Sequence, residues 1–502
     1  MQHKINRSEI EYFLTSELFH NAQMQQCFDD SKTLADAVLR YPWQQIEDAY
    51  NQQKKLVDFD LRQFVLRHFE FPMATERNNQ PHPADLQDYI YDTWRLLTRQ
   101  PDTIKRDTLL PLPQPYVVPG GRFREIYYWD SFFTALGLAE DGRHDLIKAM
   151  WDNFVFLQKE NGYIPNGNRH YYRSRSQPPV MALIAQLLVE PDKQEVVQVL
   201  EQEYLFWMGS AADPRLPVSP RTVTLGDGEI LNRYYDSQTT PRPESYREDR
   251  ALADSLAEEN RAQFYRNLRA ACESGWDFSS RWLKNPNELT SICTTDIVPV
   301  DLNCLLLILE NQLAMRCTHS GYSDKAVRYQ LAAAQRKQAM QKYFWSQDEG
   351  MFFDYDVKHK TQSTVWSLAG VLPLYAGLAT SSQANYVADV VATRFLQSGG
   401  VVTTLSASEQ QWDSPNGWAP LQWFVVDGLT KYNYHDLANN IMRNWVDGVE
   451  QGYRQFNAMM EKYNMFKPNE RAEGGEYTVQ TGFGWTNGVT RVFLSKLKKQ
   501  VA

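Results

Sequence analysis

The stretch PGGRFREIYYWDSFF, residues 119–133, decides how the rest of the chain is read. Two glycines, two arginines, a glutamate, two tyrosines, a tryptophan and an aspartate stand immediately ahead of a helical pattern. Gly120 and Gly121 free the backbone for a tight turn or a close approach to a ligand. Arg122 offers a rigid fork of donors suited to hydroxyls or carboxylates. Tyr127, Tyr128 and Trp129 supply flat rings with polar rims, and Asp130 stands where the helical pattern begins. A core segment has no need of so many polar groups. The stretch reads as one wall of a pocket for a hydroxyl-rich ligand.

Downstream, the pattern repeats. Asp130 or Ser131 can cap a helix over 132–141, and Leu146, Met150, Phe154 and Leu157 line one face of another over 144–159. Further helices fit 179–190, 195–208, 249–271, 301–316, 324–344, 365–378, 419–431 and 435–450. The segments around Leu305–Leu309 and Leu368–Leu374 are apolar on more than one side, as inner helices under an outer layer are. Strand alternation is rare, which disfavours a βα barrel or a doubly wound sheet. The expectation is an all-α toroid of helical hairpins with long polar loops gathered at one end; a superhelical stack and a multi-domain helical protein are the alternatives.

Upstream, residues 1–70 read as peripheral helices, with Ser31 starting one of them, and Pro72–Pro83 as a loop. The prolines of LPLPQPYVV, residues 110–118, favour an extended strap that leads into the PGGRF stretch.

Composition sets bounds. The 502 residues are 43% apolar and 23% charged, an ordinary globular balance, and 61 acidic against 52 basic residues leave a formal charge of -9. With no long basic run, nucleic acid is disfavoured as a partner. The 14 Trp, 27 Tyr and 24 Phe raise the prior for a sugar site slightly. No stretch approaches the ~18 apolar residues of a membrane span. The start, MQHKINRSEIEYFLTSELF, has no apolar signal-peptide core, although a chain processed from a secreted precursor would begin similarly. Cys27, Cys272, Cys293, Cys304 and Cys317 form no CxxC pair and read as reduced thiols. The expectation is therefore cytoplasmic. There is no HExxH, Walker loop or Rossmann fingerprint, so neither a metal nor a cofactor is expected.

Polar constellations recur in the loops. Asn166, Asn168, Arg169, Arg173, Arg175 and Gln177 crowd one of them, with His170 read as a surface hydrogen-bonding residue. Arg242 and Glu244 sit between prolines in PRPESY, as ligand groups or as a structural ion pair. Asp277, in ESGWDFSSRW, lies between Trp276 and Phe278. Burial among rings raises a carboxyl pKa, which suits a general acid, but a helix cap is an equal reading. In QQWDSPNGWAP, Trp412 and Trp418 are candidate platforms and Asp413 a candidate hydroxyl ligand. Glu476, after two glycines in EGGEYTVQTGFGWTNGV, is a candidate for activating water.

Together PGGRFREIYYWDSFF, ESGWDFSSRW, QWDSPNGWAP and GGEYTVQTGFGWTNGV closely resemble the trehalases of glycoside hydrolase family 37, with RSQPP and PRPESY also similar. The resemblance runs from about residue 16 to about residue 491. It implies a single (α/α)6 toroid over residues 1–502, with residues 1–118 packed on it as helical and extended elements. It also implies inverting hydrolysis of α,α-trehalose to two glucose molecules, without a metal or cofactor, by a monomer resembling the bacterial cytoplasmic form. Asp277 then corresponds to the general acid and Glu476 to the general base. Arg122, Trp129, Asp130, Asn166, Arg175, Arg242, Glu244, Trp412 and Trp418 form the substrate-binding set. The loop before Glu476 reads NERAEGGEY, with fewer glycines than relatives often carry. The competing readings are an inverting glycosidase for another α-glucoside and a non-catalytic sugar-binding protein.

Overall fold

Helices most of which are apolar on nearly every side form an inner ring in the computed structural model, which describes residues 2–72, 83 and 85–501. The ring runs Tyr128–Glu140, Met181–Ile184, Val300–His319, Leu372–Tyr375, Ala419–Lys431 and Gly484–Val501, each packed on the next. The last returns to pack along the first, closing the circle. Helices Leu86–Leu97, His144–Asn161, Lys193–Met208, Ser323–Phe344 and His435–Phe456 lie against its outside. A sixth outer helix, Ser381–Val390, packs on strand Met351–Phe352, which touches the turn Leu368–Val371. The architecture is an all-α toroid of helical hairpins. Among the described residues the strands are short ribbons of two or three residues, with no closed sheet.

Closure depends on two glycines. A Cβ on Gly137 would stand 2.6 Å from the Gly488 Cα, and one on Gly488 would overlap the Phe133 carbonyl oxygen. Both obstacles are backbone, which cannot swing aside as a side chain can. Gly488→Ala is therefore expected to force the first and last inner helices apart and cost about 3 kcal/mol, read as a lowered melting temperature.

Several helix boundaries differ from the sequence expectation, each for a local reason. The first inner helix starts at Tyr128 rather than after an Asp130 or Ser131 cap. Its leading donors are met from distant loops: Tyr128 N bonds the Asn166 carbonyl (3.1 Å) and Trp129 N bonds Gln177 Oε1 (3.0 Å). Residues 249–271 split into Tyr246–Ala253 and Glu258–Ser274. At the break, Ser255 Oγ donates to Leu252 O and Arg261 Nε to Leu256 O, local bonds that compete with the helical ladder. Of 179–190 only Met181–Ile184 is α-helical, because the chain tightens into i→i−3 bonds at Gln186 and Leu187. Within 365–378, Gly370 lies so close to the Phe352 carbonyl, and Pro373 so lacks a donor, that the segment divides into a 3₁₀ turn and a short helix.

The N-terminal segment folds as helices Gln2–Thr15, Glu17–Met24, Ser31–Ala35, Trp43–Gln53 and Leu61–His68. The cap of the third is Asp30 rather than Ser31, its side chain accepting from Lys32 N at 2.9 Å. Phe13, Phe19, Trp43, Ile46 and Phe64 build a separate small core, which Tyr127, Tyr171 and Tyr172 from the toroid enter. The loop expected at 72–83 lies, but for its end residues, outside the described residues. The strap before PGGRF runs extended, Tyr116–Val117 pairing antiparallel with Thr98–Arg99. Among the described residues no helix is long and apolar enough to cross a membrane.

Candidate active site

At one end of the toroid, the loops between helices enclose a space of about 690 Å³, open solvent included. It is lined by Asp277 and Glu476 and by every residue of the expected substrate-binding set: Arg122, Trp129, Asp130, Asn166, Arg175, Arg242, Glu244, Trp412 and Trp418. Gly120 and Gly121, with φ of +119° and +60°, make the turn that delivers Arg122 to the wall.

The arginines are held by carboxylates. Arg175 donates from Nε to Asn166 Oδ1 (2.9 Å) and from Nη2 to Glu244 Oε1 (2.8 Å). Burial pushes the Glu244 carboxyl up, but Arg175, Arg242 and Arg269 outweigh it and hold it below its ordinary value. Arg242 bonds Asp249 at 2.6 Å and Glu476 Oε1 at 2.8 Å, while Ser245 Oγ donates to Glu476 Oε2 at 3.2 Å. These three-way contacts give each arginine a fixed direction.

Three acids lining the cavity, Asp277, Asp130 and Glu476, are shifted by burial toward their neutral forms. Burial raises Asp277 to about 6, with Arg242 opposing and the Glu476 charge reinforcing. Asp277 is not a helix cap; that role falls to Ser279, which accepts from Arg281 N. Asp130, in the first turn of the inner helix, is pushed well up by burial, its own backbone N–H pulling the other way and Asp277 and Glu461 adding to the rise.

An aromatic stack forms the floor. Trp412 and Trp418 lie parallel with centroids 4.0 Å apart, Trp276 stacks on Trp412 at 5.4 Å, and Trp485 meets Trp418 edge-on at 5.6 Å. Trp485, Phe483, Tyr477 and Gln411 line the cavity without having been singled out as ligand groups. Trp485 and Phe483 were visible as the GFGW turn, and the other two only as neighbours of motif residues. Asp413, expected to bind ligand hydroxyls, instead binds protein hydroxyls: it is fully buried and accepts from Ser279, Ser280, Thr404 and Ser408. It pins the Asp277 loop to the tryptophan loop. His170 lies away from the cavity, 3.2 Å from Glu11.

Glu461 is the group the sequence did not reveal. Strand Lys462–Asn464 pairs with Asn416–Trp418, setting Lys462 opposite Trp418, and Glu461 stands one residue before it. The Glu461 side chain is 0% exposed, and neither carboxylate oxygen has a hydrogen-bond partner. Burial pushes it up, against the pull of Lys462 and Arg122, and its charge acts on Asp130, Asp277 and Tyr477. EKYN carries no glycine or tryptophan flank to mark it, only an acid beside a lysine.

The trehalase family profile matches residues 26–498. Periplasmic trehalases of Shigella flexneri and of Escherichia coli K12 are each 44% identical over 485 residues, covering 95% of this chain and 86% of theirs. Among solved structures, neutral trehalase Nth1 from Saccharomyces cerevisiae superposes with a TM-score of 0.63 at 27% identity, over 76% of this chain and 73% of that one. The GH63 mannosylglycerate hydrolase from Thermus thermophilus, at a TM-score of 0.51 and 17% identity over 82% of this chain and 100% of its own, shares the fold. The expectation of a cytoplasmic protein, and of resemblance to the cytoplasmic form, is overturned by these relatives, which are periplasmic trehalases. The thiols misled because all five are buried, and a buried cysteine without a partner in reach stays free in either compartment. With the profile spanning nearly the whole sequence and near-half identity to trehalases along it, the chain belongs to the trehalase family, glycoside hydrolase family 37.

Proposed function

We propose that the cavity hydrolyses α,α-trehalose to two glucose molecules with inversion, Asp277 protonating the bridging oxygen. The observation that carries this is a carboxyl raised to about 6 by burial, lining the same cavity as further carboxylates and the arginines they hold. Water attacks one anomeric carbon from the face opposite the bridging oxygen as the C–O bond breaks, and a second carboxylate takes the water's proton. Inverting chemistry needs the two carboxyls ~6.5–9.5 Å apart to admit that water. Arg122, Arg175, Arg242, Asn166, Glu244 and Asp130 bind and orient sugar hydroxyls, and the tryptophan floor excludes bulk water.

The motif assigns the water-activating role to Glu476. A second reading is favoured by the hydrogen bonding: Glu476 is engaged by Arg242 and Ser245, whereas both oxygens of Glu461 are unengaged and its charge reaches Asp277. On this reading Glu461 is the base and Glu476 a ligand for substrate hydroxyls. We further take residues 1–502 as one catalytic domain, because the N-terminal core and the toroid share Tyr127, Tyr171 and Tyr172, and as a monomer on the family resemblance alone.

The test is an anomer-resolved time course with α,α-trehalose. Equal initial release of α- and β-glucose is expected, since one anomeric carbon inverts and the other keeps its bond to oxygen. Two α-glucose molecules would reject inversion. No cleavage by the folded protein would reject the substrate and turn attention to other α-glucosides.

A further inference from the structure

The N-terminal segment reaches the cavity at one charged contact. Asp30 grips Arg122 with both oxygens, Oδ2 accepting from Nε at 2.8 Å and Oδ1 from Nη2 at 2.7 Å. The guanidinium lies 4.5 Å over the Tyr477 ring, and the Arg122 backbone N–H donates to Gln480 Oε1 at 2.8 Å. Engaging Nε and one edge of Nη2 leaves Nη1 and the remaining Nη2 hydrogen for a ligand, and fixes the plane in which they lie.

Asp30 is itself held firmly. It caps helix Ser31–Ala35, which packs on the turn Pro243–Ser245 that carries Glu244. Ser31 Oγ donates to Glu248 at 2.7 Å. Lys32 is buried between Asp36 (2.6 Å) and Glu125 (2.8 Å), and Tyr171 donates to Asp36 at 2.6 Å. The contacts to Glu125 and from Tyr171 join the N-terminal segment to loops that also supply cavity residues. A side chain from outside the toroid thus sets the orientation of an arginine inside the site.

We propose that Asp30 is a positioning residue for the hydrolysis, its carboxylate fixing the Arg122 guanidinium in the cavity wall so that the N-terminal segment completes the substrate site. This rests on the reading that Arg122 binds sugar hydroxyls.

Asp30→Asn tests it, because asparagine keeps an oxygen for the helix cap while losing the charge and the paired acceptor. The expected result is a KM for trehalose raised about tenfold, a smaller change in kcat, and a melting temperature within about 2 °C of wild type. In an Arg122→Ala background the same substitution is expected to add nothing further. Wild-type KM in Asp30→Asn overturns the proposal, whether or not the melting temperature falls, since a cap alone would then account for the residue. An equal loss in both backgrounds also overturns it, because Asp30 would be acting elsewhere. If Arg122→Ala alone leaves kcat/KM unchanged, the place of Arg122 in the site fails first and the proposal falls with it.

Discussion

Asp277→Asn is expected to lower kcat on trehalose by about 10³-fold with little change in KM. The leaving group is a sugar hydroxyl, which departs poorly as an alkoxide, so the proton from Asp277 is needed as the bond breaks. Asparagine keeps the shape, and the Gln411 amide that bonds the Asp277 carbonyl is unaffected by it. The pH dependence has a definite sign. Burial raises Asp277 to about 6, with Arg242 opposing and Glu476 assisting. An acid works only while protonated, so kcat/KM should fall as pH rises through about 6, and the residual activity of the variant should lack that alkaline limb. A substrate whose leaving group needs no proton, α-glucosyl fluoride, should be hydrolysed by Asp277→Asn at a rate near that of wild type. Trehalose turnover within tenfold of wild type in the variant would remove Asp277 from the acid's role.

How much of this was legible in the sequence depends on how each feature is encoded. Cavity residues on glycine- and tryptophan-flanked loops stood out: PGGRF, WDSPNGW and GGEY carry punctuation that core segments lack. Asp413 shows the limit of that reading, since its flanks are as rich as those of Trp412, yet four protein hydroxyls and a backbone N–H surround it. Nothing local distinguishes hydroxyls of sugar from hydroxyls of serine. Long helices followed from periodicity, whereas the short inner ones at Met181–Ile184 and Leu372–Tyr375 did not, because the ring needs only one turn there and the pattern runs past its end. Helix Ser381–Val390 is missing from the expected helices although the capping box Thr380–Gln383 stands at its start. The closing helix Gly484–Val501 was hidden by its own glycines, which read as a turn but serve the close approach of Gly488 to Phe133. Asp30 goes unread in the sequence, where Ser31 is taken as the helix start, because its partner Arg122 is 92 residues away.

Glu461→Gln is expected to lower kcat as severely as Asp277→Asn, about 10³-fold, while Glu476→Gln chiefly raises KM. The two carboxylates differ in what surrounds them. Neutralising Glu476 loosens its hold on Arg242 Nη2, but Arg242 keeps its bonds to Asp249, so the cavity wall survives with weaker contacts to substrate. Neutralising Glu461 removes a proton acceptor and the negative charge beside Lys462. Azide separates the roles. It needs no deprotonation, so in Glu461→Gln it can attack the anomeric carbon in place of water, forming a C–N bond as the C–O bond breaks and Asp277 passes its proton to the departing glucose. The product should be β-glucosyl azide, with turnover restored in proportion to azide. Glu476→Gln should show no such acceleration. Rescue of Glu476→Gln instead, with Glu461→Gln turning over at near the wild-type rate, would return the base to Glu476 and leave Glu461 as a buried partner of Lys462.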